Sequence, residues 1–534
     1  MMARSPTMKP CWASQSEIGP WVIVRMVTQR GTEPMNKTMV FFYLLCCALL
    51  FNTHASEFSP SIQPLFQVVD LNIGERSTVH LHDGKRVTVE LLNITEHRYE
   101  IRNALRKALV TCKIDGKEIE LVCATYNLPL AVDQIQIDCP VVRGYVSDSS
   151  KKNVWALEKD ARLRLWPAGS HWIRPGTFCY PVNQKWFASD TQMSNAPCYV
   201  NACDIPGQKT VYYHYGLDFG GAEGLVDVVA ATSGRVISKG VDIIPGDHPE
   251  QVNPRYDVVY IRDDRGWYYR YSHLKTLETA IQVGDRIDMG DRIGSIGKEG
   301  GSGGWTHLHF DVTMPQPSGR YGITDGYAFI FQAYTDTFKP DMIAVARPHV
   351  VTWAGQTIVL DASKSWHSQG KDKIKRYTWT LSNGTTQSGQ TVECSYEIPG
   401  HYTEILKVVD EQNRESYDFA VVQVFDPKTP LPVPPAIHVA YWPTTGIKAG
   451  DKVTFKVRTF GVNPDEGQEV WDFGDGSLAG KTRSDGNISQ HAKDGYATIH
   501  HRFDKPGKYI VTANRTNERG MTATGRVLVE VGKR

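Results

Sequence analysis

Short runs in which apolar and polar residues alternate, broken at turn signals, make up much of the chain. From Phe66 to about Val146 they include residues 77–82 (STVHLH) and 86–92 (RVTVELL), with Asp83-Gly84 between them and Asp115-Gly116 further on. Alternation at period two around Asp-Gly pairs predicts hairpins, and hence a small β domain. His80 and His82 fall on one face of such a strand, with no third histidine nearby, and read as surface positions. Residues 157–181, rich in Trp, Arg and Pro, read as irregular structure leading into the next domain. From Val211 to about Phe310 glycine punctuates short β runs at 226–231, 235–238, 257–262 and 267–273. That pattern predicts antiparallel β-structure with tight turns.

Beyond about Ala344 the pattern repeats. Residues 354–360 (AGQTIVL) recur as 449–455 (AGDKVTF), Trp379 as Trp471, and 399–402 (PGHY) as 506–509 (PGKY). Two tandem β-sandwiches of about 100 residues with unequal loops account for the offsets. Residues 427–435 carry five prolines and read as a semi-rigid linker between them. The one long apolar run, Val40 to Phe51, has twelve residues, too few for the roughly 20 that span a bilayer. With Met35, Asn36 and Lys37 before it and residues 53–55 after it, the run reads as a signal peptide, placing the mature start near Ser56. Residues 1–34 lack apolar periodicity, and Met35 is the expected true start.

Composition narrows the function classes. The chain has 534 residues, 41% of them hydrophobic and 22% charged, which excludes a disordered, collagenous or polytopic membrane protein. With 59 Lys and Arg against 58 Asp and Glu, no global field argues for nucleic acid or an anionic membrane. Any partner must be recognised at a local site. Removing the signal segment takes Cys11, Cys46 and Cys47 with it, and the remaining seven cysteines would meet an environment that permits disulfides. Cys112, Cys123 and Cys139 form one sequence cluster, Cys179, Cys198 and Cys203 another, and Cys394 stands alone. A lipoprotein reading through Cys46 fails because Leu44 and Leu45 are too bulky before it.

Three short pieces place histidine and aspartate at metal-ligand spacings: His214 with Asp218, His273 after Tyr271 and Ser272, and His307 with His309. On a strand, residues two or four apart share a face, so two such strands side by side converge on one ion. Imidazole and carboxylate suit zinc, and a catalytic zinc takes three protein ligands. Five candidates exceed three, which leaves two histidines for proton transfer or oxyanion stabilisation. A His-x-His pair also arises by chance, as at His80 and His82; here all three pieces lie in one glycine-punctuated β segment.

In order, the segments 214–220 (HYGLDFG), 226–236, 271–274 (YSHL), 283–294 and 303–312 (GGWTHLHFDV) resemble the lysostaphin-type, or β-lytic, zinc endopeptidases. The resemblance implies His214, Asp218 and His309 as zinc ligands, with His273 and His307 assisting catalysis. It also implies cleavage of peptide bonds in bacterial cell-wall cross-links, by an antiparallel β-sheet enzyme with a narrow groove. At the repeat, Trp471-Asp472-Phe473-Gly474-Asp475-Gly476 resembles PKD (polycystic kidney disease) domains, immunoglobulin-like modules; the first copy has Trp379-Thr380-Leu381-Ser382-Asn383-Gly384 instead.

The fold class expected is therefore mostly β, with an N-terminal β domain (56–150), a peptidase domain (151–343) and sandwiches at 344–426 and 437–534 joined by a linker at 427–436. The function expected is an exported zinc metallopeptidase, secreted or in the cell envelope, acting on a peptidoglycan peptide or an extracellular protein. The rival is a non-catalytic wall- or protein-binding protein on a decayed peptidase fold, which an intact set of five site residues argues against. Residues 243–256 form a polar insertion expected at a groove edge, and Asp227 is a charged departure without effect on the ion. Gly300-Gly301-Ser302-Gly303-Gly304 matches a serine-hydrolase elbow in letters, but a strand rather than a helix is expected after it. Asp311 alone does not complete a cupin-like metal site, and Asp472 and Asp475 read as turn residues rather than calcium ligands. Trp353, Trp366 and Trp442 read mostly as core. Asn195, just before the catalytic strands, is a candidate for an inhibitory amide over the metal, against the simpler role of capping a turn before Pro197.

Overall fold

The computed structural model describes residues 62–150, 152–185, 193–194, 206–207, 211, 213–246 and 249–534. The signal segment, Cys198, Cys203 and Asn195 lie outside the described residues. The chain is mostly β, and its sheets are almost entirely antiparallel.

The N-terminal unit packs a four-stranded meander, Arg76–His80, Arg86–Tyr99, Ala104–Ile114 and Lys117–Cys123, against a second sheet. Both hairpin signals hold. Asp115 and Gly116 take φ of 48° and 90°, the pair of left-handed residues that a two-residue hairpin turn requires. The second sheet runs Gln67–Leu71, Ala161–Pro167, Ile135–Val142, Leu130–Val132. It overturns one expectation: 157–181 is not wholly irregular, because Ala161–Pro167 is a fully buried strand central to this sheet. Its alternation of Ala161, Leu163 and Leu165 with Arg162 and Arg164 looks half exposed, but both arginines are buried and paired. Arg162 forks onto Asp70 (2.8 and 2.8 Å) and Arg164 onto Asp138 (3.0 and 2.6 Å). Leu157, Val211 and Tyr213 also enter this core, so the N-terminal unit draws on chain well past residue 150.

The central sheet has the order Asp242–Ile243, Gly234–Lys239, Val259–Arg262, Tyr268–Ser272, His307–Pro315, Leu217–Gly220, Met193–Ser194. A smaller sheet of Asp227–Val229, Arg292–Ile296 and Leu274–Leu277 packs with it. Behind lies a helix, Tyr327–Phe338, buried over most of its length, which no periodicity had marked. It ends on Lys339 in the left-handed region (φ 45°), whose N–H donates to Thr335 O. Phe329 from this helix stacks on Trp267 at 6.2 Å, tying helix to sheet.

The C-terminal half is two sandwiches, each built around a fully buried tryptophan, Trp379 and Trp471. One sheet runs through both, where Gly400–Asp410 meets Thr522–Val531 in a parallel pairing at His401 and Ala523. Trp353 and Trp366 are partly buried, whereas Trp442 is exposed and not core. Asp472 and Asp475 accept turn N–H groups from Gly474 and Ser477, and Asp475 also meets His501 at 2.7 Å, which is a turn role.

Candidate metal centre

Strand register brings the site together. Asp218 on Leu217–Gly220 lies directly opposite His309 on His307–Pro315, and His309 lies opposite Ser272 on the far side. Residues 218, 309 and 272 thus form one row across three strands, with His273 at the end of its strand. His214, four residues before Asp218, completes the approach from the preceding turn, where Gly216 (φ 88°) packs so closely on Phe310 O that a side chain would collide with it.

His214 Nε2, Asp218 Oδ1 and His309 Nδ1 face one another. The edges of this triangle are 3.0 Å (His214 to His309), 3.0 Å (His309 to Asp218) and 3.2 Å (His214 to Asp218). Ligand atoms about 2.0–2.1 Å from a tetrahedral zinc would stand about 3.3 Å apart, so this donor set fits zinc in chemistry and in span. These atoms also form the metal-capable group found among the described residues. Burial works against ionising Asp218, yet the His214 and His307 imidazoles hold its carboxyl well below the usual range. Burial likewise disfavours a charged His309, but bonds to Asp218 and Asp311 hold its proton more tightly than usual. A divalent cation would displace that proton and take its place between the acidic groups, so metal uptake releases protons.

Around this triangle stand the two remaining histidines. His273 donates from Nδ1 to Glu299 O at 2.7 Å, and His307 from Nδ1 to Trp305 O at 3.1 Å. Each ring therefore carries its proton on Nδ1 and keeps Nε2 as the lone-pair nitrogen. His307 Nε2 lies 3.7 Å from Asp218 Oδ1, and the two ring centroids are 4.7 Å apart. Burial pushes His273 down to about 4 and His307 well below 6.5, so both are neutral at pH 7.

Several residues that support the site escaped the sequence reading. His309 Nε2 lies 3.1 Å from Asp311 Oδ2, which in turn is 3.4 Å from Arg270 Nη1. A carboxylate behind a ligand imidazole fixes its tautomer and orientation. The i+2 spacing that pairs His307 with His309 would have placed Asp311 on the same face. His273 adopts φ 68°, and its backbone N–H donates to Asp257 Oδ2 at 3.0 Å. Asp257, buried, is held well below the usual carboxylate range against that burial by His273 and Arg255. Arg255 and Tyr256 come from the insertion; Arg255 forks onto Asp257, and Tyr256 Oη accepts the Gly300 N–H at 2.8 Å. Asp227 pairs with Arg292 at 2.7 Å, away from the centre. Ser302 donates to Lys298 O and is followed by a strand, so it is no nucleophile elbow.

Residues 212–319 match Peptidase family M23, and residues 340–424 and 438–529 each match the PKD domain. Among solved structures, a mutant catalytic domain of the prophage-encoded M23 protein EnpA from Enterococcus faecalis is 20% identical, covering 21% of this chain and 79% of that one (TM-score 0.16). The PKD domain of an M14-like peptidase from a Thermoplasmatales archaeon is 22% identical, covering 18% and 94% (TM-score 0.15). Helicobacter pylori Csd3 is 14% identical, covering 49% and 82% (TM-score 0.19). No curated protein matches the chain.

Proposed function

We propose that this chain, a Peptidase family M23 domain followed by two PKD domains, is an exported zinc metalloendopeptidase that hydrolyses peptide cross-links of peptidoglycan. The observation that carries this reading is the convergence of His214, Asp218 and His309, within 4.8 Å of one another, beside two neutral imidazoles. Bound by those three residues, zinc supplies Lewis acidity toward water and the scissile carbonyl. The chain's own groups do the rest. His214 and His309 present nitrogen lone pairs, and Asp218 brings one negative charge to offset the cation. His273 and His307, with Nδ1 protons tied to backbone carbonyls, can each take a proton at Nε2. That suits them to receive the proton of an attacking water and then to face the developing oxyanion as cations. Export rests on the apolar run at 40–51, and no helix among the described residues is long and apolar enough to cross a membrane.

The test is digestion of purified sacculi and of a glycine-rich peptide, read by mass spectrometry with and without chelator. Chelator-sensitive release of wall peptides is expected. Cleavage of extracellular proteins without release from sacculi would move the substrate to protein. A zinc-loaded chain that cleaves nothing would make it the binding protein instead.

A further inference from the structure

We propose that the second PKD domain is a working part of the site: Tyr496, Arg458 and Asn487 position the turn at 303–306, and through it Trp305 and His307. The proposal rests on the metallopeptidase reading above.

The turn is a run of glycines with one serine, Gly300, Gly301, Ser302, Gly303 and Gly304, and such a run loses more freedom on ordering than any other sequence. Gly303 and Gly304 both take positive φ, 85° and 81°. Its own domain holds the two ends of the turn, with Tyr256 Oη accepting the Gly300 N–H at 2.8 Å, Ser302 Oγ donating to Lys298 O and Thr306 O accepting the Gly221 N–H at 3.3 Å, while in the middle Ser302 Oγ accepts the Gly304 N–H at 3.1 Å. Three further backbone groups are bound by the PKD domain. Gly303 O accepts from Asn487 Nδ2 (3.1 Å), Gly304 O accepts from Arg458 Nη1 (2.5 Å), and the Thr306 N–H donates to Tyr496 Oη (2.8 Å). Approach at Gly304 is so close that a Cβ would fall inside the Asn487 side chain.

Arg458 and Tyr496 are not free to turn away, and Asn487 is fixed through its backbone. Arg458 is fully buried, and its other four N–H groups go to Asp485 (2.8 and 2.7 Å), Ser489 O (2.7 Å) and Gln490 O (3.0 Å). The fifth is the one that reaches Gly304. Tyr496 Oη lies 2.7 Å from His438 Nδ1, so its donor and its acceptor are both used. The Asn487 backbone N–H is held by the same Asp485 at 2.9 Å.

Trp305 carries this placement to the catalytic face. Its indole stacks on the His307 ring (centroids 3.8 Å, 16°), and its carbonyl accepts the His307 Nδ1 proton at 3.1 Å. Its other side meets His438 of the PKD domain edge-on at 5.5 Å. Both the plane and the tautomer of His307 are therefore set by residue 305, whose neighbours 303, 304 and 306 are bonded from the PKD domain. Lys185 adds a second point of attachment, with N–H to Thr444 Oγ1 at 2.8 Å and Nζ to Glu530 at 2.7 Å. Tyr496, Arg458 and Asn487 touch no reacting atom; they are positioning residues.

The experiment uses the full chain, zinc-loaded, with Tyr496→Phe and Asn487→Ala, and Tyr441→Phe as control. Tyr441 is buried in the same sandwich and bonds Leu528 O, away from the turn. Hydrogen exchange of the peptide spanning 303–307, zinc content, kcat and KM are measured. Tyr496→Phe and Asn487→Ala are expected to speed exchange there and to lower kcat about ten- to a hundredfold, with KM and zinc content unchanged, as misplacement of a catalytic group does. Tyr441→Phe is expected to change neither. Unchanged exchange, or faster exchange with kcat intact, overturns the proposal, as does a control that behaves like the two variants. If the parent chain hydrolyses nothing, the reading of the site itself has failed, and the exchange data then report only how the domains pack.

Discussion

His309 stands between two carboxylates, with Nδ1 3.0 Å from Asp218 and Nε2 3.1 Å from Asp311. A neutral imidazole has one proton, which Nε2 keeps and donates to Asp311, so Nδ1 is left to coordinate. Asp311→Asn keeps the shape but loses the charge, and an amide oxygen orients the ring more weakly. Zinc affinity is expected to fall about 10- to 100-fold, measured by competition with a chromophoric chelator. The other site positions separate by role. His309→Ala should abolish stoichiometric zinc in elemental analysis while the sandwiches stay folded. His273→Ala should keep its zinc and lose about 10²- to 10⁴-fold in turnover; full turnover with normal metal content would remove His273 from the reaction. The convergence of His214, Asp218, His273, His307 and His309 was legible because they lie in short, strand-spaced motifs. Asp257 and Arg255 were not, because their role depends on the unusual backbone of His273, which no spacing reveals.

At the scale of elements, strand alternation was read well where the polar positions are exposed and badly where they are buried. Arg76–His80 and Arg86–Tyr99 pair as their pattern predicts. Ala161–Pro167 was missed because Arg162 and Arg164 are not surface residues at all. The Arg162 and Asp70 side chains are 1% and 4% exposed, so each charge depends on the other. Arg162→Ala would strand Asp70 in the core and is expected to cost about 3–5 kcal/mol, seen as a lowered midpoint of the N-terminal unfolding transition. Replacing both, Arg162→Met with Asp70→Leu, should recover much of that loss. A single variant no less stable than the parent would mean that water already reaches this pair. The helix Tyr327–Phe338 escaped for a related reason: apolar almost all round, it carries no amphipathic stripe to mark its period.

At the scale of the whole molecule, the tandem sandwiches were legible from their repeated motifs, but the docking of the second against the site was not. Contacts such as Arg458 to Gly304 join residues far apart in sequence and follow from no local pattern. Docking makes the chain's acid stability bear on its site. His438 and His401 are both buried; burial pushes His438 down to about 3 and His401 to about 4, with backbone bonds opposing it at His401. In the unfolded chain both would titrate near 6.5, so as pH falls the unfolded state takes up protons first. Stability is then complete above about pH 6.5, declines as pH falls, and levels off only below the folded values near 3 to 4. His401 accounts for about 3 kcal/mol and His438 for about 5 kcal/mol across that window. The melting midpoint of the C-terminal sandwiches is therefore expected to drop steeply between pH 6.5 and 4. His401→Gln, which cannot titrate, should flatten that slope by about half, whatever it does to stability at pH 7. His401 lies at the seam between the sandwiches, opposite Ala523, and His438 lies against Trp305 at the site. Acid should thus loosen the sandwich joint and the clamp on the catalytic turn over the same pH range. Following melting and hydrogen exchange of residues 303–307 together through the titration checks this; exchange that stays slow at a pH where the sandwiches have melted would show that the turn holds its shape without them.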